Sequence, residues 1–275
     1  LYIDTKTKAL HRQEAKVVCV AGNSIETPRL FLMSASSMFP NGLANSSDQV
    51  GRNYMRHLTG SVYARFDKPV NFYRGETMAG FLADEVKNNP KRGFVGGYYL
   101  ETLALGPSFM GAFLEPGGWG KKFADMMDGY RNLAGMWIVG EDMPQANNRI
   151  TLGSAKDAFG LPAPNVHFDD HPNDTAMRNH AYNVGEKIYK SVGAKQTWRT
   201  TPYPHTHNLG TMRMSAKKKD GVTNKWGRCH DIKNLFVSDG SVMTTGAACN
   251  PTLTIVALAI RQGEYLADQL KKGKI

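Results

Sequence analysis

The sequence predicts a chain of the α/β class, α+β overall, in which strand-turn-helix units are combined with a mainly antiparallel sheet and flanking helices. Two short apolar runs, Val17–Ala21 and Leu235–Val237, each lead into a polar turn that contains glycine, followed downstream by a helical pattern. Between them, short alternating stretches are separated by Gly, Pro and Asn, which is typical of antiparallel strands.

The first 34 residues predict a strand pair, a third strand and a helix. Leu1–Ile3 and Ala9–His11 flank a polar turn, and Val17–Ala21 is a continuous apolar run that indicates a strand buried on both faces. We predict that Thr27 is the N-cap of the helix and that Pro28 occupies its first position, because both residue types favour these places.

The middle of the chain, residues 58–204, predicts the antiparallel sheet. Its candidate strands are Ser61–Phe66, Gly97–Leu100, Met136–Val139 and Arg149–Leu152. An amphipathic helix is predicted between Asp174 and Val192, ending at Gly193. Its apolar face comprises Met177, Ala181, Val184, Ile188 and Val192. Residues 105–135 mix glycine and aromatic residues without a clear period.

The last 70 residues contain the residues that are best suited to chemistry. The strand at Leu235–Val237 leads into Asp239 and Gly240, a tight turn at which a ligand can approach the backbone. Asn250 is predicted as the N-cap, and Pro251 as the first residue, of a final helix through about Leu270. Its predicted apolar stripe includes Leu253, Val256, Ala257, Ile260 and Leu266.

Composition excludes several classes. The 275 residues are 41% hydrophobic and 21% charged, which is ordinary for a globular protein and argues against general disorder. No apolar run approaches the roughly 20 residues needed to cross a bilayer. The net charge of +10 would suit nucleic acid, an anionic membrane or an acidic protein, but part of it lies in Lys217–Lys219 and Lys271–Lys274, runs typical of solvated loops and tails. We therefore predict no nucleic-acid partner.

The cysteines and histidines provide no convincing metal motif. Cys19, Cys229 and Cys249 lack C-x-x-C spacing, and Cys19 is expected in the core because its strand is apolar. His205 and His207 form an H-x-H pair that could bind metal together with Cys229 and His230. No carboxylate or helical ligand motif accompanies this pair, so we predict no metal site.

His207 and the start of the last helix suit acid-base and anion chemistry. An imidazole has a reference pKa near 6.5, so His207, before a glycine turn, is a candidate base for a hydroxyl proton. The helix after Asn250 directs free N–H groups and a positive dipole end at whatever precedes it. Each feature alone is also consistent with a structural histidine and an ordinary helix start.

Taken together, four stretches resemble the glucose-methanol-choline oxidoreductase family. They are AGNSIETPRLFLMS at Ala21–Ser34, VGRNYMRHL at Val50–Leu58, HNLGTMRM at His207–Met214, and the run from Asp220 to Gln262. Within the family, the sequence of these stretches is most similar to the flavoprotein subunits of sugar and sugar-acid dehydrogenases, such as those for gluconate, sorbitol, fructose and glucose.

The resemblance implies FAD as cofactor and oxidation of an alcohol or sugar hydroxyl by hydride transfer to flavin N5. It implies that His207 is the catalytic base and that Asn250 is the second catalytic residue. Asp239 and Gly240 would approach FAD, and Asn250, Pro251 and Thr252 would border its isoalloxazine ring. Electrons would pass to a cytochrome, quinone or dye-type acceptor, with a cytochrome c or similar subunit as partner.

The resemblance also implies a domain division. Residues 1–58 and 204–275 would belong to a Rossmann-like FAD-binding domain, and residues 59–203 to the substrate domain. The family's G-x-G-x-x-G half does not occur here, and the chain does not begin like a natural gene product, so we interpret it as a carboxyl-terminal half that binds FAD poorly by itself. Near Gly22 the loop is longer than the family pattern, and Ala35 replaces the usual Gly.

Three alternatives remain open at this stage: an oxidase of the same family that uses oxygen, a non-redox lyase or binding module, and a truncated chain without activity. The sequence leaves localisation open between the periplasmic face of a bacterial inner membrane, through a partner subunit, and the cytoplasm.

Overall fold

The computed structural model describes residues 1–202 and 206–275. Its strands are β1 (Tyr2–Ile3), β2 (Leu10–His11), β3 (Val18–Val20), β4 (Leu58–Arg65), β5 (Phe81–Leu82), β6 (Tyr98–Thr102), β7 (Leu133–Gly140), β8 (Arg149–Lys156), β9 (Pro162–His167), β10 (Gln196–Arg199) and β11 (Leu235–Val237). Its α-helices are α1 (Asn23–Met33), α2 (Pro107–Leu114), α3 (Gly120–Asp128), α4 (Pro172–Ser191) and α5 (Thr252–Lys271). The mixed fold predicted from the sequence is confirmed.

The largest sheet is antiparallel and has the strand order β10-β4-β7-β6-β5. Helix α4 packs across it, and the two together enclose one hydrophobic core. The buried members of this core include Leu58, Val62, Tyr98, Leu100, Ile138, Met177 and Ala181. The opposite face of β6 points toward the residues that precede α5, and it places the Tyr99 hydroxyl within hydrogen-bond distance of Asn250.

Helix α4 confirms the predicted amphipathic pattern with two differences at its ends. It begins at Pro172 because the His171 side chain accepts the Asn173 N–H, while Asp174 accepts the His171 N–H to complete a capping box. Val192 was expected on the buried face but is 65% exposed, since it lies beyond the last helical turn that reaches the sheet.

A second core lies around a short parallel pair, in which β11 runs beside β3 with Val18 opposite Leu235. Helix α1 and the loops after it cover one side of this pair. The buried members are Phe31, Ala44, Val50, Met212, Val222, Cys229, Leu235, Val237 and Val242. A strand, a turn and a helix therefore form at both predicted places, and their contact joins the two ends of the chain.

The predicted start of α1 was wrong. The helix begins at Asn23, and Pro28 lies inside it. Thr27 is not the cap, because its hydroxyl donates to Asp239 Oδ2 at 2.6 Å and accepts the Gly22 N–H at 2.9 Å. A partner 212 residues away in sequence therefore determines the role of this threonine.

The predicted buried face of α5 was also wrong. Apolar residues surround much of this helix, so the pattern does not mark a single buried face. Leu253, Val256 and Ile260 are 84%, 48% and 60% exposed, whereas Ile255 and Leu258 face the rest of the chain. Cys19 of β3, expected in the core, is exposed as well.

None of the helices in the described ranges combines the length and apolar character that a membrane crossing requires.

Candidate active site

The segment that carries His207 lies beside the segment that carries His57. Leu209 and Met55 exchange both backbone hydrogen bonds, at 2.8 and 3.0 Å, as an antiparallel bridge. In an antiparallel register, residues two before one partner and two after the other are also opposite each other. His207 therefore faces His57, and their Nδ1 atoms lie 2.9 Å apart with the rings nearly perpendicular.

Burial keeps the His207 imidazole neutral. Desolvation, followed by repulsion from His57, lowers the pKa of His207 to about 4. Desolvation also lowers the pKa of His57, against the opposing effect of hydrogen bonds from its ring to the backbone of Gly246 and Ala247. A neutral imidazole can accept a proton at physiological pH, so the candidate base is in the correct protonation state.

Asn250 is exposed and lies immediately before α5, but the prediction that it caps this helix was wrong. The capping position belongs to Pro251, and no side chain in residues 1–202 and 206–275 makes a capping bond to the helix. The Asn250 Oδ1 atom instead accepts a hydrogen bond from the Tyr99 hydroxyl at 2.9 Å. Thr252, the first helical residue, is also exposed.

Asp239 and Gly240 occupy the turn after β11, but both make contacts within this chain. The Asp239 carboxylate accepts the Thr27 hydroxyl and Asn23 N–H on one oxygen and the Ser241 N–H and hydroxyl on the other. Gly240 is buried, and a Cβ there would lie 3.0 Å from Ile255 and 3.1 Å from the Asn208 carbonyl. The turn thus contacts both α1 and α5. The approach of Asp239 and Gly240 to FAD stays a prediction.

A cavity of about 290 Å³ opens beside Asn250. Its walls are mainly apolar, and Tyr99 and Glu101, which point to the same side of β6, contribute its polar groups together with Asn250. Glu101 is 7% exposed, and desolvation raises the pKa of its carboxyl group. The lining residues are Phe81, Ala83, Val86, Tyr99, Glu101, Cys249 and Asn250.

The alternative metal site has no support in the described part of the chain. His205 lies outside the described residues. Within residues 1–202 and 206–275, no group of three or more His, Cys, Asp or Glu side chains is arranged to hold a metal ion. His230 contacts the Ser215 hydroxyl at 3.2 Å, and Cys229 is buried in the second core.

Three residues of this region were missed in the sequence: His57, Tyr99 and Glu101. His57 lies in the VGRNYMRHL stretch that contributed to the resemblance, and this membership was the signal that could have identified it. Tyr99 and Glu101 gave no such signal, because the alternating pattern of a strand does not reveal which other element packs against each of its faces.

Known proteins resemble this chain in sequence and in fold. Residues 144–259 match the carboxyl-terminal family model described as GMC oxidoreductase. The chain is 39% identical to 2-methyl-1,2-propanediol dehydrogenase of Mycolicibacterium austroafricanum and 32% identical to the fructose dehydrogenase large subunit of Gluconobacter japonicus. Each alignment covers 97% of this chain and 50% of the relative. The chain thus spans about half the length of the curated relatives it matches.

A solved structure of formate oxidase from Aspergillus oryzae RIB40 superposes with a TM-score of 0.62 at 17% identity, covering 93% of this chain and 55% of the other. At this identity the likeness concerns the fold alone. The family-model match and the sequence relatives show that this chain resembles the carboxyl-terminal half of GMC oxidoreductases.

Proposed function

We propose that the protein containing this chain is an FAD-dependent dehydrogenase that oxidises a CH–OH group of a small alcohol, diol or sugar to a carbonyl. The observation that carries the proposal is the half-buried His207 imidazole, kept neutral by desolvation and in contact with His57, whose other ring nitrogen contacts Gly246 in the loop that leads to Asn250. The match to the GMC oxidoreductase family model supports FAD as the cofactor. When bound, FAD would supply the hydride acceptor, at its N5 atom.

The residues of this chain fit the flavin. Its N1/C2=O edge becomes negatively charged on reduction, and a helix N-terminus favours such charge. The first turn of α5 is exposed at Thr252 and Leu253, and no side chain of the described residues caps it. We assign residues 1–58 and 204–275 to the flavin side and 59–203 to the substrate side, supported by their separate cores.

His207 would take the hydroxyl proton of the substrate. Its neutral state makes it a competent acceptor, and general-base catalysis of this kind contributes about 10²- to 10⁴-fold. Asn250 would hydrogen-bond the substrate oxygen through its amide N–H, because the Tyr99 hydroxyl already donates to its Oδ1. The two residues would thereby remove the proton and direct the developing alkoxide.

The cavity beside Asn250 would hold the substrate. Its volume of about 290 Å³ is near the lower limit of ligand pockets and suits a small polyol. The Glu101 carboxyl group on its wall would accept a hydrogen bond from a second hydroxyl of the substrate. The natural electron acceptor would be a cytochrome, quinone or dye-type molecule, and a cytochrome-bearing subunit would be its partner.

Anaerobic stopped-flow reduction of the full-length, FAD-loaded protein tests this function. We expect 1,2-diols or sugars to bleach the flavin band, and His207→Ala to slow bleaching by about 10²- to 10⁴-fold. His11→Ala, at an exposed histidine in β2, is the matched control and should retain the wild-type rate. A flavin band that no alcohol bleaches would indicate a non-redox module, and rapid reoxidation by oxygen would indicate an oxidase.

Asn250→Asp tests the second site residue. Because Asn250 is not the helix cap, the melting temperature should change little. The new carboxylate would repel the developing alkoxide and the reduced flavin, so reduction should slow strongly. A variant that retains the wild-type rate would remove Asn250 from the site.

A further inference from the structure

His57 lies at the centre of the candidate site although it is not one of the residues proposed to touch the substrate. It is 1% exposed, and it contacts two segments at once. Its Nδ1 lies 2.9 Å from His207 Nδ1, and its Nε2 lies 3.0 Å from the carbonyl oxygen of Gly246. Gly246 belongs to the loop that leads to Asn250.

These two contacts determine where the protons are. A carbonyl oxygen can only accept a hydrogen bond, so His57 Nε2 carries a proton and donates it to Gly246. In a neutral His57 the other ring nitrogen is then an acceptor, and the proton between the two rings belongs to His207 Nδ1. The Nε2 atom of a neutral His207 is therefore left without a proton, as a base requires.

The backbone of this region is shaped around the contact. His57 has φ of +56°, in the left-handed region that a non-glycine residue occupies only when its surroundings hold it there. A Cβ at Gly246 would lie 2.7 Å from both Cδ2 and Nε2 of His57. The backbone of His57 thus holds the ring in place, and the absence of a side chain at Gly246 leaves the space that the ring occupies.

We propose that His57 is a positioning residue that holds His207 in the tautomer with its proton on Nδ1 and ties the base to the loop of Asn250. The backbone carbonyl of Gly246 sets the tautomer of His57, and His57 in turn sets that of His207. The proposal deepens the proposed function of His207 as the base. The lowered pKa of both histidines, caused mainly by desolvation, agrees with a neutral pair.

Two substitutions separate the two contacts of the ring. In His57→Asn, the amide oxygen can take the place of Nδ1 and accept the His207 proton, while the bond to Gly246 is lost. In His57→Gln, the longer amide can take the place of Nε2 and donate to Gly246, while the acceptor for His207 is lost. We expect His57→Gln to slow flavin reduction in the full-length protein by about 10- to 100-fold, and His57→Asn to slow it much less.

The tautomer itself provides a readout that does not depend on turnover. In the FAD-loaded, full-length protein labelled with ¹⁵N-histidine, NMR should show a protonated Nδ1 and an unprotonated Nε2 for His207, assigned by comparison with His207→Gln. A proton on Nε2 in the wild-type protein would overturn the proposal, even if the variants fail to fold. Equal, wild-type reduction rates in both His57 variants would overturn it as well.

The two readouts also separate this proposal from the one it rests on. If no alcohol reduces the flavin but NMR finds the expected tautomer, the proposed reaction fails while the positioning by His57 stands. If alcohols reduce the flavin and His207→Ala abolishes this, but the tautomer is the opposite one, the function stands and the role of His57 fails.

Discussion

Asp142 provides a quantitative test of the structure, because it is a buried carboxyl group next to the segment of His57. It is 2% exposed, and its Oδ2 accepts the backbone N–H of Arg56 at 2.8 Å. Desolvation raises the pKa of Asp142 from 3.8 to about 7, with a smaller contribution from the carboxylate of Asp174. Between about pH 4 and pH 7, the folded chain therefore keeps the Asp142 proton that the unfolded chain has already released.

The sign follows from proton linkage. Between pH 4 and pH 7 the folded state binds more protons than the unfolded state, so the contribution of Asp142 to stability falls as pH rises through this window. From a pKa of 3.8 unfolded and about 7 folded, the loss is about 1.7 kcal/mol at pH 5 and about 4 kcal/mol at pH 8.

Asp142→Asn isolates this effect, because the Asn oxygen can still accept the Arg56 N–H but the side chain does not ionise. The free energy of unfolding of the variant minus that of the wild type should rise by about 2.5 kcal/mol between pH 5 and pH 8. Urea unfolding of the full-length protein at several pH values measures this difference. Asp84→Asn, at an exposed aspartate, controls for the loss of one negative charge. A difference that stays constant from pH 5 to pH 8 would refute the reasoning.

Further predictions concern the site and its surroundings. Tyr99→Phe removes the hydroxyl that orients the site amide, and we expect about a 10-fold slower flavin reduction with an unchanged melting temperature; no change in rate would contradict this role. Gly210→Ala should destabilise the protein by about 2 kcal/mol more than Gly75→Ala, since both glycines have nearly the same positive φ but only Gly210 would drive a Cβ into the Asn53 carbonyl. Equal unfolding free energies would show that the clash is relieved. The reduction rate should fall on acidification only near pH 4, where His207 becomes protonated, so a midpoint near 6.5 in a stopped-flow pH series would contradict its desolvation. If the basic surface guides an acidic electron acceptor, transfer to that acceptor should weaken as salt is raised, whereas flavin reduction by substrate should not.

Local sequence patterns were sufficient for much of the fold. The alternating stretches became β4, β6, β7 and β8, and the apolar runs became β3 and β11, because side-chain period and chain breakers act within a few residues. The extent of α5 was predicted within about two residues for the same reason. Residue type and motif wording also indicated the family, which the comparisons support.

Where a feature depended on a distant partner, the sequence was a poorer guide. Thr27 is a good capping residue by type, but the carboxylate of Asp239 lies within reach only after β11 pairs with β3. Asn250 likewise suits a helix cap, yet the Tyr99 hydroxyl from the central sheet engages its side chain instead. Local preference was overridden in both cases by a hydrogen bond to a residue distant in sequence, buried for Thr27 and partly buried for Asn250.

The sequence by itself determined the class of fold, the resemblance to a family and the chemical type of the candidate base, since all of these depend on residue identity and short-range order. Only the tertiary structure decided how that base is prepared. The antiparallel bridge between Met55 and Leu209 brings His57 opposite His207, across 150 residues of chain, and a glycine carbonyl then fixes the protons on both rings. Tautomers and pKa values depend on neighbours and on exclusion of water, and both arise only when distant segments pack together.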